Sequence, residues 1–165
     1  ILFSIVGILA YISYRFEWQY GAASIVALTH DVIGTIGLFA LTQMPFDLST
    51  VAAILLVAGY SINDTVIIFD RIRENLRKYK KMPLPELLNL SINQTLPRTL
   101  MTSLTTLMAL FALWLFGGEV ISGFIVALFF GIGIGTHSSI FVASPVLNYL
   151  NLRRDPETAP QEQGA

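Results

Sequence analysis

Long apolar stretches separated by short polar breaks dominate this chain. From Gly21 to Leu41, Ser49 to Phe69, Thr99 to Phe116 and Val120 to Leu150, charged side chains are almost absent. Each stretch is near or above the roughly 20 residues that a helix needs to cross a hydrocarbon core of about 30 Å. A shorter run, Ile1 to Tyr14, would reach only about 21 Å as a helix and is read as part of a span. No basic stretch precedes that run, and Arg15, Phe16, Glu17 and Trp18 follow it where a signal peptide would have a small-residue cleavage site. The pattern predicts an all-α integral membrane protein, a multi-span helical bundle with five spans at about 1–14 (partial), 21–41, 49–69, 99–116 and 120–150.

The breaks carry their own signals. Gln43-Met44-Pro45-Phe46-Asp47 forms a turn, with Asp47 and Ser49 as capping residues for the span that follows. The polar segment 71–95 is the longest break. Within it Leu84, Leu87, Leu88, Ser91 and Ile92 recur at helical spacing after Pro83 and Pro85, which predicts a short amphipathic helix lying along the membrane surface. Whether it caps the bundle or docks a partner stays open. Residues 151–165 read as a disordered cytoplasmic tail.

Composition agrees with lipid as the solvent: 54% of residues are hydrophobic and 13% are charged, too apolar for a soluble domain of this length. No cysteine is present, which excludes disulfides, thiolate metal sites and cysteine nucleophiles. The formal charge of −1 hides an asymmetry. If the spans alternate, Arg15, then Arg71, Arg73, Arg77, Lys78, Lys80, Lys81 and Arg98, then Arg153 and Arg154 all fall on one side. The opposite loops, around Pro45 and Gly117-Gly118-Glu119, contain no Lys or Arg. The positive-inside rule places the basic side and the C-terminus in the cytoplasm. The basic run serves topology and contact with anionic membrane lipids; no nucleic-acid partner is expected.

Inside the spans two acids need a reason, because a carboxylate there costs several kcal/mol on insertion scales. Counting about 1.5 Å per residue from the cytoplasmic helix ends places Asp31 roughly 15 Å deep and Asp64 roughly 9 Å deep. One base is near enough to answer them, Arg98, immediately after Pro97. A desolvated carboxyl holds its proton, and a wet path or an approaching guanidinium releases it, so the pattern has the signature of a proton-coupled site. A static buried ion pair is the alternative. Ser61, Asn63 and Thr65 flank Asp64, and His30 beside Asp31 offers either a relay or a local structural partner. His137 has a tunable imidazole, or else simply bonds a neighbouring helix. Gly123, Ala127, Gly131 and Gly135, with Gly133 nearby, form a small-residue stripe that permits close helix packing. Pro145 marks a kink or the membrane exit. There is no P-loop, dinucleotide fingerprint or metal-ligand spacing, so no cofactor and no metal are expected.

The stretch GYSINDTVIIFDRIREN, from Gly59 to Asn75, resembles the signature of the SecF family of protein-export membrane subunits. So do ALTHDVIGTIGLF from Ala27, PRTLMTSLTTL from Pro97, FGGEVISGF from Phe116 and GTHSSIFVASP from Gly135, in the family's order and spacing. The resemblance covers nearly the whole chain to Leu150. It implies half of a pseudo-symmetric transporter of the resistance-nodulation-division type, with one further helix and a periplasmic domain expected before Ile1. His137 departs from the family, which usually has Tyr there.

The family's acid in the SINDT motif and its Arg in the PRT motif fall on Asp64 and Arg98. The resemblance implies a bacterial inner-membrane accessory subunit that uses protons as the coupling ion, not an enzyme. It implies SecD, separate or fused, the Sec translocation channel and an unfolded preprotein as partners. In that reading Asp64 binds and releases the proton, Arg98 stabilises its ionised form, and Asp31 hydrates or orients the path. A small-molecule efflux transporter of the same fold and a non-conducting scaffold subunit are the alternatives.

Overall fold

The structure is a computed structural model that describes residues 17–150 together with Gly7 and Leu152. The expected first span, 1–14, and the tail after residue 152 lie outside the described residues. Among the described residues four membrane-length segments follow one another: α1 (Trp18–Thr42), α2 (Leu48–Lys78), α3 (Leu84–Phe116) and a last segment, Ser122–Tyr149. The last is composite. It runs as α4 (Ser122–Ser138), a π-helical turn (Ser139–Ala143) and α5 (Ser144–Tyr149). A short 3-10 turn, Glu119–Ile121, leads into it.

The first break is built as its residues suggest. Asp47 is the N-cap of α2, its Oδ1 accepting from the Thr50 amide at 2.9 Å, from Ser49 Oγ at 2.7 Å and from Thr50 Oγ1 at 3.0 Å. The π turn has a local cause in Pro145, near the start of α5. Proline has no N–H to donate four residues back, and its ring collides with that carbonyl. Widening the preceding turn relieves both problems, as a single π turn within a helix does elsewhere. Ser144 Oγ donates to the Ser139 carbonyl, five residues back, at 3.3 Å.

The segment 71–95 differs from the expected surface helix. Residues 71–78 complete α2 and residues 84–95 open α3, which continues through Pro97 without a break. With 31 and 33 residues, these helices would be about 46 and 50 Å long, well beyond the hydrocarbon thickness. The apolar face of 84–95 is covered by the protein rather than by lipid headgroups. Leu87 and Leu88 are buried with Ile68, Phe69, Ile72 and Leu147, and Leu84 and Ile92 pack on the same cluster. Buried Asn75 joins the two extensions, donating to Ser91 Oγ and Gln94 Oε1, each at 2.9 Å. Arg71 Nε also donates to Gln94 Oε1, at 2.7 Å.

Two apolar clusters bracket the bundle. One gathers Tyr20, Ala23, Ala27, Ile68, Phe69, Leu87 and Leu147 toward the basic end; the other gathers Phe39, Ala53, Val57, Leu110, Ile125 and Ile132 toward the opposite end. On each membrane-length segment the residues between these clusters are conspicuously polar: Asp31 and Thr35, Ser61, Asp64 and Thr65, Thr99 and Ser103, Ser138 and Ser139, all buried. Apolar packing above and below thus isolates a polar layer at mid-bundle.

Candidate functional site

The polar layer divides into two parts with different chemistry. In the first, Asp31 of α1 is fully buried. Its Oδ2 accepts from Ser61 Oγ of α2 at 2.5 Å and from Ser138 Oγ of α4 at 2.7 Å. Its Oδ1 lies 3.1 Å from Nδ1 of His30, a ring that is 41% exposed. Thr65 Oγ1 and Ser139 Oγ are hydrogen-bonded at 2.9 Å, and Ser139 Oγ also reaches the Gly135 carbonyl at 2.9 Å. Apart from the partly exposed His30, each side chain here is a small hydroxyl or the acid it serves, so the buried polar groups are paired.

In the second part, on the α3 side of α2, Asp64 is 1% exposed and its Oδ2 has no hydrogen-bond partner among the described residues. Thr99 Oγ1, on α3, is likewise buried without a partner among them. Arg98, which precedes Thr99 on α3, lines an open cleft of about 320 Å³ between α2 and α3, together with Ile67, Asp70, Arg71, Glu74, Gln94 and Thr95. A buried carboxyl oxygen with no donor among the described residues can take up a proton when dry and give it up when water or a cation approaches.

The expected site residues are therefore sorted by the fold. Arg98 lines the cleft between α2 and α3, whereas Asp64 is buried on α2 with no donor to its Oδ2 among the described residues; Ser61 serves Asp31 instead of Asp64, and Thr65 turns toward Ser139. Asn63 is exposed and takes no part in either cluster. His137 is also exposed, its ring against Phe141 with centroids 4.9 Å apart, away from the buried hydroxyls. Ser138, Ser139, Thr99 and Ser103 carry no sequence signal of their own. In the run Thr136-His137-Ser138-Ser139 the two serines, and not the histidine, make the buried hydrogen bonds.

The small-residue stripe has a definite task. A Cβ on Gly131 would collide with the Val57 side chain, and Ala127 is fully buried. A Cβ on Gly135 would lie 3.1 Å from Ser61 Cβ and 3.5 Å from Asp31 Oδ2, and one on Gly123 would lie 4.0 Å from Thr50 Oγ1. These positions let α4 approach α2 closely enough for serine hydroxyls to span the gap. Among the described residues, no three His, Asp or Glu side chains converge as ligands of a metal ion.

Comparison with known proteins places this geometry in context. Residues 1–153 match the family described as "Protein export membrane protein SecD/SecF, C-terminal". The chain is 59% identical over 148 residues to the protein translocase subunit SecF of Cereibacter sphaeroides, covering 90% of this chain and 46% of that one. It is 53% identical over 157 residues to the SecF of Rhodobacter capsulatus, covering 95% and 47% respectively. Among solved structures it is similar to SecDF of Thermus thermophilus, a translocon-associated membrane protein, with TM-score 0.84 and 48% identity over 88% of this chain and 20% of that one. SecDF in its super-membrane-facing form gives the same TM-score and identity, with 89% and 21% covered. The chain spans about half the length of the curated relatives it matches.

Proposed function

Because the chain belongs to the SecD/SecF family of protein-export membrane proteins, we propose that it is the proton-binding membrane portion of a SecF-type accessory subunit of the Sec translocase. The subunit works with SecD, separate or fused, beside the Sec channel in a bacterial inner membrane. It uses the proton-motive force to promote the late, periplasmic stage of preprotein export. Its basic helix ends and C-terminus face the cytoplasm, as the clustering of Lys and Arg at one end of the bundle favours.

One observation carries the chemical part. Of two equally buried acids, Asp31 has its carboxylate engaged by two serines and a histidine, whereas Asp64 Oδ2 has no donor among the described residues. Fixed donors hold the Asp31 carboxylate in one arrangement, whereas Asp64 Oδ2 can change its surroundings when water or the Arg98 guanidinium at the α2–α3 cleft reaches it. Proton uptake and release at Asp64 then alters how α2 and α3 fit together, and that fit is the lever available for moving parts outside the bilayer.

The test is Asp64→Asn in the full-length subunit, assembled with SecD in inverted membrane vesicles. Proton-gradient-dependent export is expected to fall to the level of vesicles lacking the subunit, a loss of at least about tenfold in the gradient-dependent component. Unchanged export and unchanged proton conduction would defeat the proposal. The scaffold reading predicts that unchanged result, with damage coming instead from bulky substitutions along the stripe from Gly123 to Gly135.

A further inference from the structure

Asp31 is tied to both neighbours of its own helix. Its Oδ2 receives one hydroxyl from α2 (Ser61, 2.5 Å) and one from α4 (Ser138, 2.7 Å), so a single carboxylate joins three helices at one point. One turn farther along α2, Thr65 is hydrogen-bonded at 2.9 Å to Ser139, the first residue of the π turn that continues α4. Asp64 sits between these two pins, three residues after the first and one before the second. At about 100° per residue, Ser61 and Thr65 point within roughly 40° of each other, and Asp64 points about 60° to one side. A helix held at both positions cannot rotate about its axis at the level of Asp64 without breaking a buried hydrogen bond. Gly135 completes the arrangement, since a Cβ there would crowd Ser61, 3.1 Å from its Cβ.

We propose that Asp31 is a positioning residue. Through Ser61 and Ser138 it sets the rotation and register of α2 against α1 and α4, and so aims Asp64 toward α3, without exchanging a proton itself. This rests on the reading of Asp64 as the proton-binding acid. The role needs an acceptor at Oδ2 rather than a negative charge. An asparagine at 31 can supply its amide oxygen to both serines. Its amide group then faces His30 Nδ1, which accepts once the ring carries its proton on Nε2.

The test compares four variants of the full-length subunit reconstituted with SecD: Asp31→Asn, Asp31→Leu, the double change Ser61→Ala with Ser138→Ala, and Asp64→Asn. Gradient-dependent export and proton conduction are measured. The carboxyl that reacts with a hydrophobic carbodiimide is located by mass spectrometry. Asp31→Asn is expected to stay within about twofold of the parent, while the serine double variant loses at least about tenfold at an unchanged level of folded protein, because small misplacement of a reacting group is expensive. Asp31→Leu is expected to lose at least as much as the serine pair, and that pair covers the case in which the leucine variant fails to insert. Carbodiimide should label Asp64 and not Asp31, and the serine double variant should change the rate at Asp64 by at least about threefold.

If Asp31→Asn abolishes conduction as fully as Asp64→Asn does, Asp31 exchanges protons and the positioning role is wrong. Full activity in the serine double variant, or labelling of Asp31 in the parent, also overturns it. Conduction that survives Asp64→Asn would instead remove the proton-binding reading on which the proposal stands.

Discussion

The two faces of α2 are built on opposite plans. Against α4, its most extensive contact, small residues bring the backbones together; Thr65 meets Ser139 of the following π turn, and Ser61 and Ser138 share the Asp31 carboxylate. Against α3, the mid-bundle contact holds Asp64 Oδ2 and Thr99 Oγ1 buried with no partner among the described residues. Its firm polar contacts lie elsewhere, at Asn75 with Ser91 near the basic end and at Tyr60 with Thr106, 3.3 Å apart, on the other side of Asp64. The difference teaches where a bundle of uniformly apolar helices can change shape. A satisfied, close-packed interface has one good arrangement, whereas an interface with unpaired polar atoms gains from a second one.

The contrast breaks most severely at Gly131. Gly131→Leu would force a side chain into Val57 and push α4 off α2, with an expected loss of about 3 kcal/mol or more of stability. Thermal unfolding in detergent checks this. At Gly133, two residues away, an added methyl would meet nothing within 4 Å, so Gly133→Ala should be neutral or stabilising by up to about 1 kcal/mol. Equal damage at both positions would mean that helix flexibility, and not close approach, is what the glycines provide.

On the other face, Asn75→Leu probes the contact that holds α2 and α3 together at their basic ends. It removes both donors of a fully buried amide, but Ser91 Oγ still donates to the Leu87 carbonyl at 2.8 Å and Gln94 Oε1 still accepts from Arg71. The remaining partners limit the cost to about 1–2 kcal/mol. Faster hydrogen exchange at the start of α3, with the α2–α4 contact undisturbed, is the expected signature. Loss of protection across the whole bundle would show the two faces to be one cooperative unit.

Which of these features could be read from the chain follows from what periodicity encodes. Apolar length marks the four described spans, because lipid permits little else, and counting along them puts Asp31 and Asp64 in their interiors, where both are buried. Direction around the helix was harder. Ser61 and Asn63 both neighbour Asp64 in sequence, yet Ser61 points to Asp31 and Asn63 points outward. Helix geometry says which residues share a face but not which helix covers that face. The same ambiguity governed 84–95, where an apolar stripe could face a membrane surface or a neighbouring helix. Asn75, Ser91 and Leu147, distant in sequence, decide it. Small polar residues such as Ser138 and Ser139 carry no periodic signal, so their role emerges only when their partners are placed.

A smaller effect sharpens the comparison at the rim. Asp47 caps α2 at the end farthest from the basic cluster, and its hydrogen bonds from Ser49 and Thr50 hold its carboxyl below the usual carboxylate range. A lowered folded value means that the cap contributes fully above the unfolded carboxylate pKa and fades as the pH falls through the lower folded one. Protection of the Thr50 and Val51 amides, corrected for intrinsic exchange, should therefore drop in acid. Asp47→Asn should flatten that dependence while keeping a cap. A pH-independent parent would mean that neighbouring contacts, not the Asp47 cap, hold the first turn of α2.

The smallest expected effect is the most pointed. Thr99 Oγ1 is buried and has no partner among the described residues, so Thr99→Val removes a hydroxyl that contributes no hydrogen bond and substitutes a methyl of similar size. Stability should change by less than about 0.5 kcal/mol or improve slightly, since an unpaired buried hydroxyl is a cost. The matching removal of a satisfied hydroxyl, Ser139→Ala, breaks its link to Thr65, which keeps the Ser61 carbonyl as an acceptor, and should cost about 1 kcal/mol. If Thr99→Val proves as damaging as Ser139→Ala, Thr99 finds a partner in the bilayer, Asp64 being the buried acceptor on the facing helix. The α2–α3 contact would then be as firmly bonded as the α2–α4 contact, and the freedom assigned to it would have to lie at Arg98 alone.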